Sequence, residues 1–196
     1  EGAIIVSTND VVEYSLYQEI VNAKIKGDGI IAGKKMKEYF PGGYLSVGKN
    51  GFIEKIVEKP KPGSEPSDVV NLVVHRFENV HELFTQVEKA KSKNDDRYEV
   101  ALQKWFLDGG KFKVLKYNGF WQPIKFPWHV LDLMKHHFPE GKAFRGKHVK
   151  IAKNAVIHGP VFLDDGVKVM DFAVIQGSCY IGKNTIIGTG SLVRES

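Results

Sequence analysis

The sequence predicts an α/β domain over residues 1–138 and a parallel β-helix of hexapeptide repeats over residues 149–196. The β-helix is predicted by eight consecutive hexads, each with a small or β-branched first residue and an aliphatic third residue. The α/β domain is predicted by strand-like and helix-like segments that alternate along the chain. Residues 139–148 carry glycine, proline and several charges, so we interpret them as a linker.

The hexads predict a short strand and a tight turn every six residues. Their last two positions are mostly Gly, Asn, Asp, Pro or Ser, the residue types that form turns. Stacked strands would place the third-position side chains in one continuous interior; these are Ile151, Ile157, Leu163, Val169, Ile175, Ile181, Ile187 and Val193. Cys179 stands at a first position, which predicts a packing role rather than a nucleophile.

In the α/β domain, hydrophobic periodicity and turn residues predict each element in order. A buried strand is expected at Ala3–Ser7, and a hairpin is expected around Asn50-Gly51. Further strands are predicted at 29–32, 44–47, 52–57, 69–77 and 111–117, and helices at 12–23, 80–91, 97–107 and 127–138.

Composition excludes several classes of function. The net charge of +5 is spread over the chain, and no basic stripe with interleaved aromatic residues indicates nucleic-acid binding. No apolar run approaches the roughly 18 residues of a membrane span, and no signal peptide is recognisable. The single cysteine excludes an intrachain disulfide, so a reducing, cytoplasmic location is expected.

The most informative polar residues follow the predicted hairpin. Glu58, Lys59 and Pro60 stand at the end of a strand, and Gly43 lies seventeen residues before Pro60. A carboxylate at this position could accept hydrogen bonds from sugar hydroxyls, and the ammonium beside it could meet a phosphate. A glycine nearby would let a ligand approach the backbone closely. Taken alone, the same residues also fit a solvated turn.

Several segments taken in order resemble the sugar-1-phosphate nucleotidylyltransferase family. The segments are Ile4-Ile5-Val6-Ser7-Thr8-Asn9-Asp10, Gly43-Tyr44-Leu45-Ser46-Val47, Ile56-Val57-Glu58-Lys59-Pro60, Val70-Asn71-Leu72-Val73-Val74 and Tyr98-Glu99-Val100. The resemblance implies a partial nucleotidyltransferase (Rossmann-like) domain followed by a left-handed parallel β-helix. It also implies the coupling of a nucleoside triphosphate to a sugar 1-phosphate, with release of pyrophosphate.

The resemblance assigns roles to five residues. Asp10 matches the aspartate that binds the catalytic Mg²⁺, although it could also cap the following helix. Gly43 matches the glycine whose backbone meets the sugar. Glu58 and Lys59 match the contacts to sugar hydroxyl and sugar phosphate. Asn71 matches a sugar-contacting asparagine, or it could satisfy backbone groups at a strand edge. The resemblance identifies no catalytic residue.

The chain also departs from the family pattern. A Gly-rich phosphate loop is absent from these 196 residues, and Val73 replaces the glycine expected two residues after Asn71. Pro123 stands where a second metal-binding aspartate is expected, so either Asn118 is a substitute ligand or the second ligand is missing. We therefore expect a piece of a longer protein whose nucleotide-binding part is missing here, and we expect residues 1–196 alone to show no turnover.

Two other functions remain open at this point. Hexapeptide proteins include acyltransferases, and His158 is the histidine within the hexads that could serve one. Alternatively, Val73 and Pro123 would fit a non-catalytic homologue that binds a sugar nucleotide. In each case the flat faces of a β-helix favour a homo-oligomer.

Overall fold

A computed structural model describes residues 1–137 and 143–196. The described residues form two compact units, Glu1–Trp121 and Gln122–Ser196. Part of the predicted linker, residues 139–142, lies outside the described residues, as does Phe138, the predicted last residue of the final helix.

The first unit contains three helices and seven strands, and an eighth strand begins at its last residue. The helices are α1 (Tyr14–Asn22), α2 (Val80–Lys89) and α3 (Arg97–Leu107). The strands are β1 (Ala3–Val6), β2 (Asp10–Val12), β3 (Gly29–Lys35), β4 (Gly43–Val47), β5 (Ile53–Glu58), β6 (Val69–Phe77), β7 (Phe112–Lys116) and β8 (Trp121–Pro123). These elements confirm the predicted mixed α/β class. Across residues 1–137 and 143–196, no helix is long and apolar enough to cross a membrane.

The main sheet of this unit has the strand order β5-β4-β6-β3-β7. Strand β6 lies at its centre: β3 pairs along one side, and β4 and β1 share the other side. The pairings of β4 with β5 and β6 are antiparallel, whereas β3 runs parallel to β7. The Asn50-Gly51 turn joins β4 to β5, with Gly51 at a φ of +79°, as the predicted hairpin requires.

Helices cover both faces of this sheet. On one face α1 contributes Leu16 and Ile20 to a core with Ala32 and Leu72. On the other face a larger core includes side chains from the sheet and from α2 and α3, namely Ile31, Leu45, Ile53, Ile56, Phe77, Leu83, Leu102, Trp105, Phe106 and Phe112. Since neighbouring residues of a strand point to opposite faces, alternate residues of β6 contribute to each core.

Strand β1 differs from the buried strand that was predicted. Ile4 and Val6 are 39% and 42% exposed, because β1 pairs with the end of β6 and its side chains are covered less completely than those of the central strands. An apolar run of four residues does not distinguish a central strand from one at a margin.

The second unit consists of α4 (His129–His137) and the hexapeptide-repeat region. The short strands of that region are β9 (Phe144–Arg145), β10 (Lys150–Ile151), β11 (Val156–His158), β12 (Val161–Leu163), β13 (Lys168–Val169), β14 (Val174–Gln176), β15 (Cys179–Ile181), β16 (Ile186–Ile187) and β17 (Leu192–Arg194). They form three parallel sheets, β10-β13-β16, β11-β14-β17 and β9-β12-β15. Residues 18 positions apart pair with each other, as Ile157 does with Ile175, so three hexads complete one repeat of the stack.

The repeat region contains the apolar core predicted from the hexads. All eight third-position side chains belong to this core or pack against it, and Cys179 is fully buried within it. The stack begins earlier than expected: residues 144–148 were assigned to the linker, but Phe144 and Arg145 pair in parallel with Phe162 and Leu163. A two-residue strand with a charged second residue gives no hexad signal of its own.

Residues with positive φ lie at the corners between the three sheets. Gly159 and Gly177 occupy equivalent corners at φ values of +86° and +90°. A β carbon on Gly159 would lie 3.3 Å from the Cα atom of Gly177, which is backbone and cannot rotate away. Both the φ angle and the close approach therefore require glycine at position 159.

We predict that Gly159→Ala lowers the free energy of unfolding of the hexad region by about 1–2 kcal/mol, the cost of a left-handed conformation for alanine. Hydrogen–deuterium exchange should then be roughly 5- to 30-fold faster in β11 and β14. Gly182→Ala is the control, because its β carbon would meet its nearest atom at 3.8 Å and its φ is not positive. Equal exchange in the two variants would contradict this role for the corner.

Candidate functional site

The register of three strands brings three of the predicted site residues into one row. Gly43 of β4 lies opposite Glu58 of β5. On the other side of β4, Tyr44 lies opposite Val70 of β6, so Gly43 is level with Asn71. Side chains that are level across neighbouring strands point to the same face of the sheet. Glu58, Gly43 and Asn71 therefore share the face that α2 and α3 cover.

Gly43 is buried and leaves only a narrow gap between the two polar side chains. A β carbon at this position would lie 3.0 Å from Oε2 of Glu58 and 3.5 Å from Cβ of Asn71. Any residue other than glycine would fill this space. The row therefore consists of a carboxylate, a patch of bare backbone and an amide, in that order.

Lys59 directly follows this row and is held in an unusual backbone conformation. Its φ is +44°, in the left-handed region, and its backbone N–H donates to the carbonyl oxygen of Gly42 at 3.1 Å. Non-glycine residues in this region carry local strain, which occurs often at functional sites. The Lys59 ammonium is 3.5 Å from Oε1 of Glu58 and its side chain is 64% exposed, so it is available to a ligand.

Behind Asn71, two buried residues extend the polar network. Oδ1 of Asn71 is 2.8 Å from Nε2 of His75, and Nδ1 of His75 is 2.7 Å from the hydroxyl of Tyr98 on α3. Burial lowers the pKa of His75 to about 3, so this imidazole is neutral at neutral pH. Burial also raises the pKa of the Tyr98 phenol, which therefore keeps its proton.

A cleft of about 680 Å³ lies between β5 and α3. Glu58 lines it together with Glu99 of α3 and the apolar side chains Ile56, Val100 and Leu107. Burial raises the pKa of Glu99 above its ordinary range, and the charge of nearby Glu58 raises it further. The cleft thus places carboxyl groups beside an apolar wall, and Lys55 and Lys104 also line it.

Asp10 lies on a different element from this row. It begins β2, and the helix that follows is capped at Glu13, so the alternative role of Asp10 as the helix cap is wrong. In the part of the chain that the structure describes, no group of three or more His, Cys, Asp or Glu side chains could hold a metal ion.

His75 was not predicted as a site residue, and no role was predicted for Tyr98 or Glu99. A signal for His75 was present: it lies four residues after Asn71, so the two side chains lie on the same face of the strand. The contact of Tyr98 with His75 could not be read from the sequence, because it depends on how α3 packs over β6.

In the second unit, His158 ends β11 and is exposed. It pairs in register with Gln176, which in turn pairs with Arg194. The three side chains therefore form a polar column on one outer face of the hexad region.

Comparison with known proteins supports both parts of this description. Residues 160–195 match the family model for the bacterial transferase hexapeptide (six repeats). The chain is 29% identical to the bifunctional protein GlmU of Methanococcus aeolicus over 172 residues, which are 86% of this chain and 39% of that protein. It is 26% identical to a bifunctional sugar-1-phosphate nucleotidylyltransferase/acetyltransferase of Sulfurisphaera tokodaii, over 92% of this chain and 44% of that protein. The chain thus spans less than half the length of these curated relatives.

A solved structure shares the fold. It is a Bacillus anthracis protein assigned as a glucose-1-phosphate thymidylyltransferase, in complex with sucrose, with a TM-score of 0.51 and 14% identity over 67% of this chain and 52% of that one. The relatives confirm the resemblance drawn from the sequence, and this structure shows the shared fold. The chain is similar to sugar-1-phosphate nucleotidylyltransferases with hexapeptide repeats.

The buried neutral His75 predicts a specific pH dependence of stability. Its pKa is about 3 in the folded chain and about 6.5 when unfolded, so the unfolded chain binds the extra proton. The stabilisation is complete above pH 6.5 and is lost as the pH falls toward 3. Between pH 7 and pH 5 the free energy of unfolding of the parent chain should fall by roughly 2 kcal/mol more than that of the His75→Gln variant.

Urea unfolding followed by Trp fluorescence measures this difference. All other titrating groups are the same in both proteins, so their contributions cancel. If the parent chain and the Gln variant lost stability equally between pH 7 and pH 5, His75 would not be the buried neutral group described here.

Proposed function

We propose that this chain carries the sugar-binding side of a sugar-1-phosphate nucleotidylyltransferase. In the full-length protein, this enzyme would couple a nucleoside triphosphate to a sugar 1-phosphate and release pyrophosphate. The observation that carries the proposal is the row of Glu58, Gly43 and Asn71, in which an acceptor and a donor flank bare backbone. The similarity to bifunctional sugar-1-phosphate nucleotidylyltransferases supports it.

The proposed roles follow from the chemistry of each group. The Glu58 carboxylate accepts hydrogen bonds from sugar hydroxyls, and the Asn71 amide hydrogen-bonds a neighbouring hydroxyl. Gly43 lets the sugar ring approach the strand. The Lys59 ammonium, exposed beside Glu58, meets the sugar phosphate as a point charge.

The reaction joins the phosphate oxygen of the bound sugar to the α-phosphorus of the triphosphate, and the bond to pyrophosphate breaks. Holding the sugar phosphate in line for this attack is the contribution of the residues named above, and such positioning supplies a large part of the rate. The chain therefore contributes orientation and binding, and we assign none of its residues as an acid, base or nucleophile.

Mg²⁺ is the cofactor proposed for this reaction, where it would neutralise charge on the phosphates. The described residues fit it only in part. Asp10 is a candidate carboxylate ligand, but Pro123 cannot ligate a metal and Asn118 is an exposed amide. Mg²⁺ often takes one or two protein carboxylates and substrate phosphate oxygens. A single protein ligand would leave the phosphates to supply most of the coordination sphere.

For the hexad region we propose a left-handed parallel β-helix that serves association into a homo-oligomer. The 18-residue spacing of paired strands and the match of residues 160–195 to the hexapeptide family support this geometry. An outward column of stacked aromatic rings, Phe144, Phe162 and Tyr180, offers apolar area for such association.

We predict that Glu58→Gln weakens the binding of glucose 1-phosphate to the chain by about 10-fold or more, because a charged acceptor contributes about 1.5–3 kcal/mol to a hydrogen bond. Isothermal titration calorimetry on residues 1–196 measures this. Glu88→Gln makes the same charge change at an exposed position on α2 and should leave the affinity unchanged. Binding that Glu58→Gln leaves intact would argue against the proposed site.

A second candidate function is acetyl transfer by the hexad region. The M. aeolicus and S. tokodaii relatives are named as bifunctional, the latter explicitly as an acetyltransferase, and His158 is exposed in a column with Gln176 and Arg194. This candidate predicts acetyl coenzyme A binding that His158→Ala abolishes and His81→Ala, a change on α2, does not. A non-catalytic homologue would instead bind sugar phosphate and triphosphate in the full-length protein without forming pyrophosphate.

A further inference from the structure

His75 is a fully buried imidazole whose two ring nitrogens both have partners. It lies on β6 within the apolar core of the first unit, next to Phe77 and stacked against the Tyr98 ring at 5.7 Å between centroids. Nε2 faces Asn71 at 2.8 Å, and Nδ1 faces Tyr98 at 2.7 Å. A buried polar group is stable in such a place only when its hydrogen bonds are made, so the pair of contacts accounts for its presence.

The two side-chain partners indicate which nitrogen carries the proton, and the backbone carbonyl of Leu72 is a further acceptor at the ring. Oδ1 of Asn71 is only an acceptor, so Nε2–H of His75 donates to it. Nδ1 is then the acceptor, and the Tyr98 hydroxyl donates to it. The lowered pKa of His75 and the raised pKa of Tyr98 agree with this arrangement, because it needs a neutral imidazole and a protonated phenol.

This arrangement fixes the orientation of the Asn71 amide. With Oδ1 held by His75, the amide can present only its N–H₂ group elsewhere, and Nδ2 donates to no other group among residues 1–137 and 143–196. Asn71 lies level with Gly43 on the neighbouring strand, and the Glu58 carboxylate lies on the other side of Gly43. The site thus presents a fixed donor and a fixed acceptor on either side of bare backbone.

We propose that His75 is a positioning residue: together with Tyr98 it holds the Asn71 amide with its N–H₂ group toward the sugar site. The site is thereby specific for a sugar with two nearby hydroxyls, one that accepts from Asn71 and one that donates to Glu58. The inference rests on the proposed sugar-binding function. A fixed side chain also loses less conformational entropy when the sugar binds.

The tautomer of His75 is the first test, and it needs no ligand. Long-range ¹H–¹⁵N NMR of the chain labelled with ¹⁵N-histidine should show His75 protonated at Nε2 and not at Nδ1 from pH 5 to pH 8. Tyr98→Phe removes only the donor to Nδ1, so a population of His75 protonated at Nδ1 should appear. The matched change Tyr180→Phe in the hexad region should leave His75 protonated at Nε2 alone. Protonation at Nδ1 in the parent chain would overturn the inference.

The second test is binding of glucose 1-phosphate by calorimetry. His75→Gln keeps an N–H donor for Oδ1 of Asn71 and should bind within about 3-fold of the parent. His75→Leu removes the donor at similar volume, and Tyr98→Phe frees the imidazole; each should bind about 5- to 10-fold more weakly, as expected for one lost hydrogen bond. Tyr98→Phe also keeps the test valid if the Leu variant does not fold.

The outcomes separate this inference from the function it rests on. If the parent binds glucose 1-phosphate and the Leu and Phe variants bind it equally well, the positioning role is wrong and the proposed function stands. If the parent does not bind glucose 1-phosphate, the proposed function fails and the inference fails with it. Weaker binding in both variants, with rescue by Gln, supports the role of His75.

Discussion

The antiparallel pairing of β4 with both β5 and β6 decides which side chains of the first unit can act together. Because the side chains of a strand alternate between faces, a shift of one residue in either pairing would move Glu58 or Asn71 to the α1 side of the sheet. The observed register places both on the α3 side, with Gly43 between them. The same register sends Leu45 and Ile56 into the apolar core, so the packing that stabilises the sheet also assembles the site.

The polar network behind Asn71 is an exception to this apolar packing. An imidazole in the core is costly unless it is neutral and fully hydrogen-bonded, and His75 meets both conditions through Asn71 and Tyr98. Since Tyr98 belongs to the first turn of α3 and Glu99 follows it at the cleft, the position of one helix determines both the orientation of the amide and the wall of the cleft. The site therefore depends on contacts between elements far apart in the sequence.

This dependence explains what the sequence could and could not predict. The bounds of β6 and α3 agree with those predicted, because a nine-residue strand rich in valine and an eleven-residue helix carry clear local patterns. The hexads predicted the interior of the repeat region for the same reason. That Glu58 and Asn71 lie together could be predicted only from the resemblance to a known family, since strand register is set by non-local pairing. The His75–Tyr98 contact and the exposure of β1 depend on tertiary packing and left no comparable local pattern.

The most direct test of the account is the affinity of Gly43→Ala for glucose 1-phosphate, measured by calorimetry beside Gly182→Ala in the hexad region. The added methyl group would lie 3.0 Å from Oε2 of Glu58, in the space proposed for the sugar, while both polar side chains remain. We expect a folded variant, verified by circular dichroism, whose affinity falls by about 10-fold or more, a loss of at least about 1.4 kcal/mol. An affinity equal to that of the parent would contradict the assignment of this row as the sugar site.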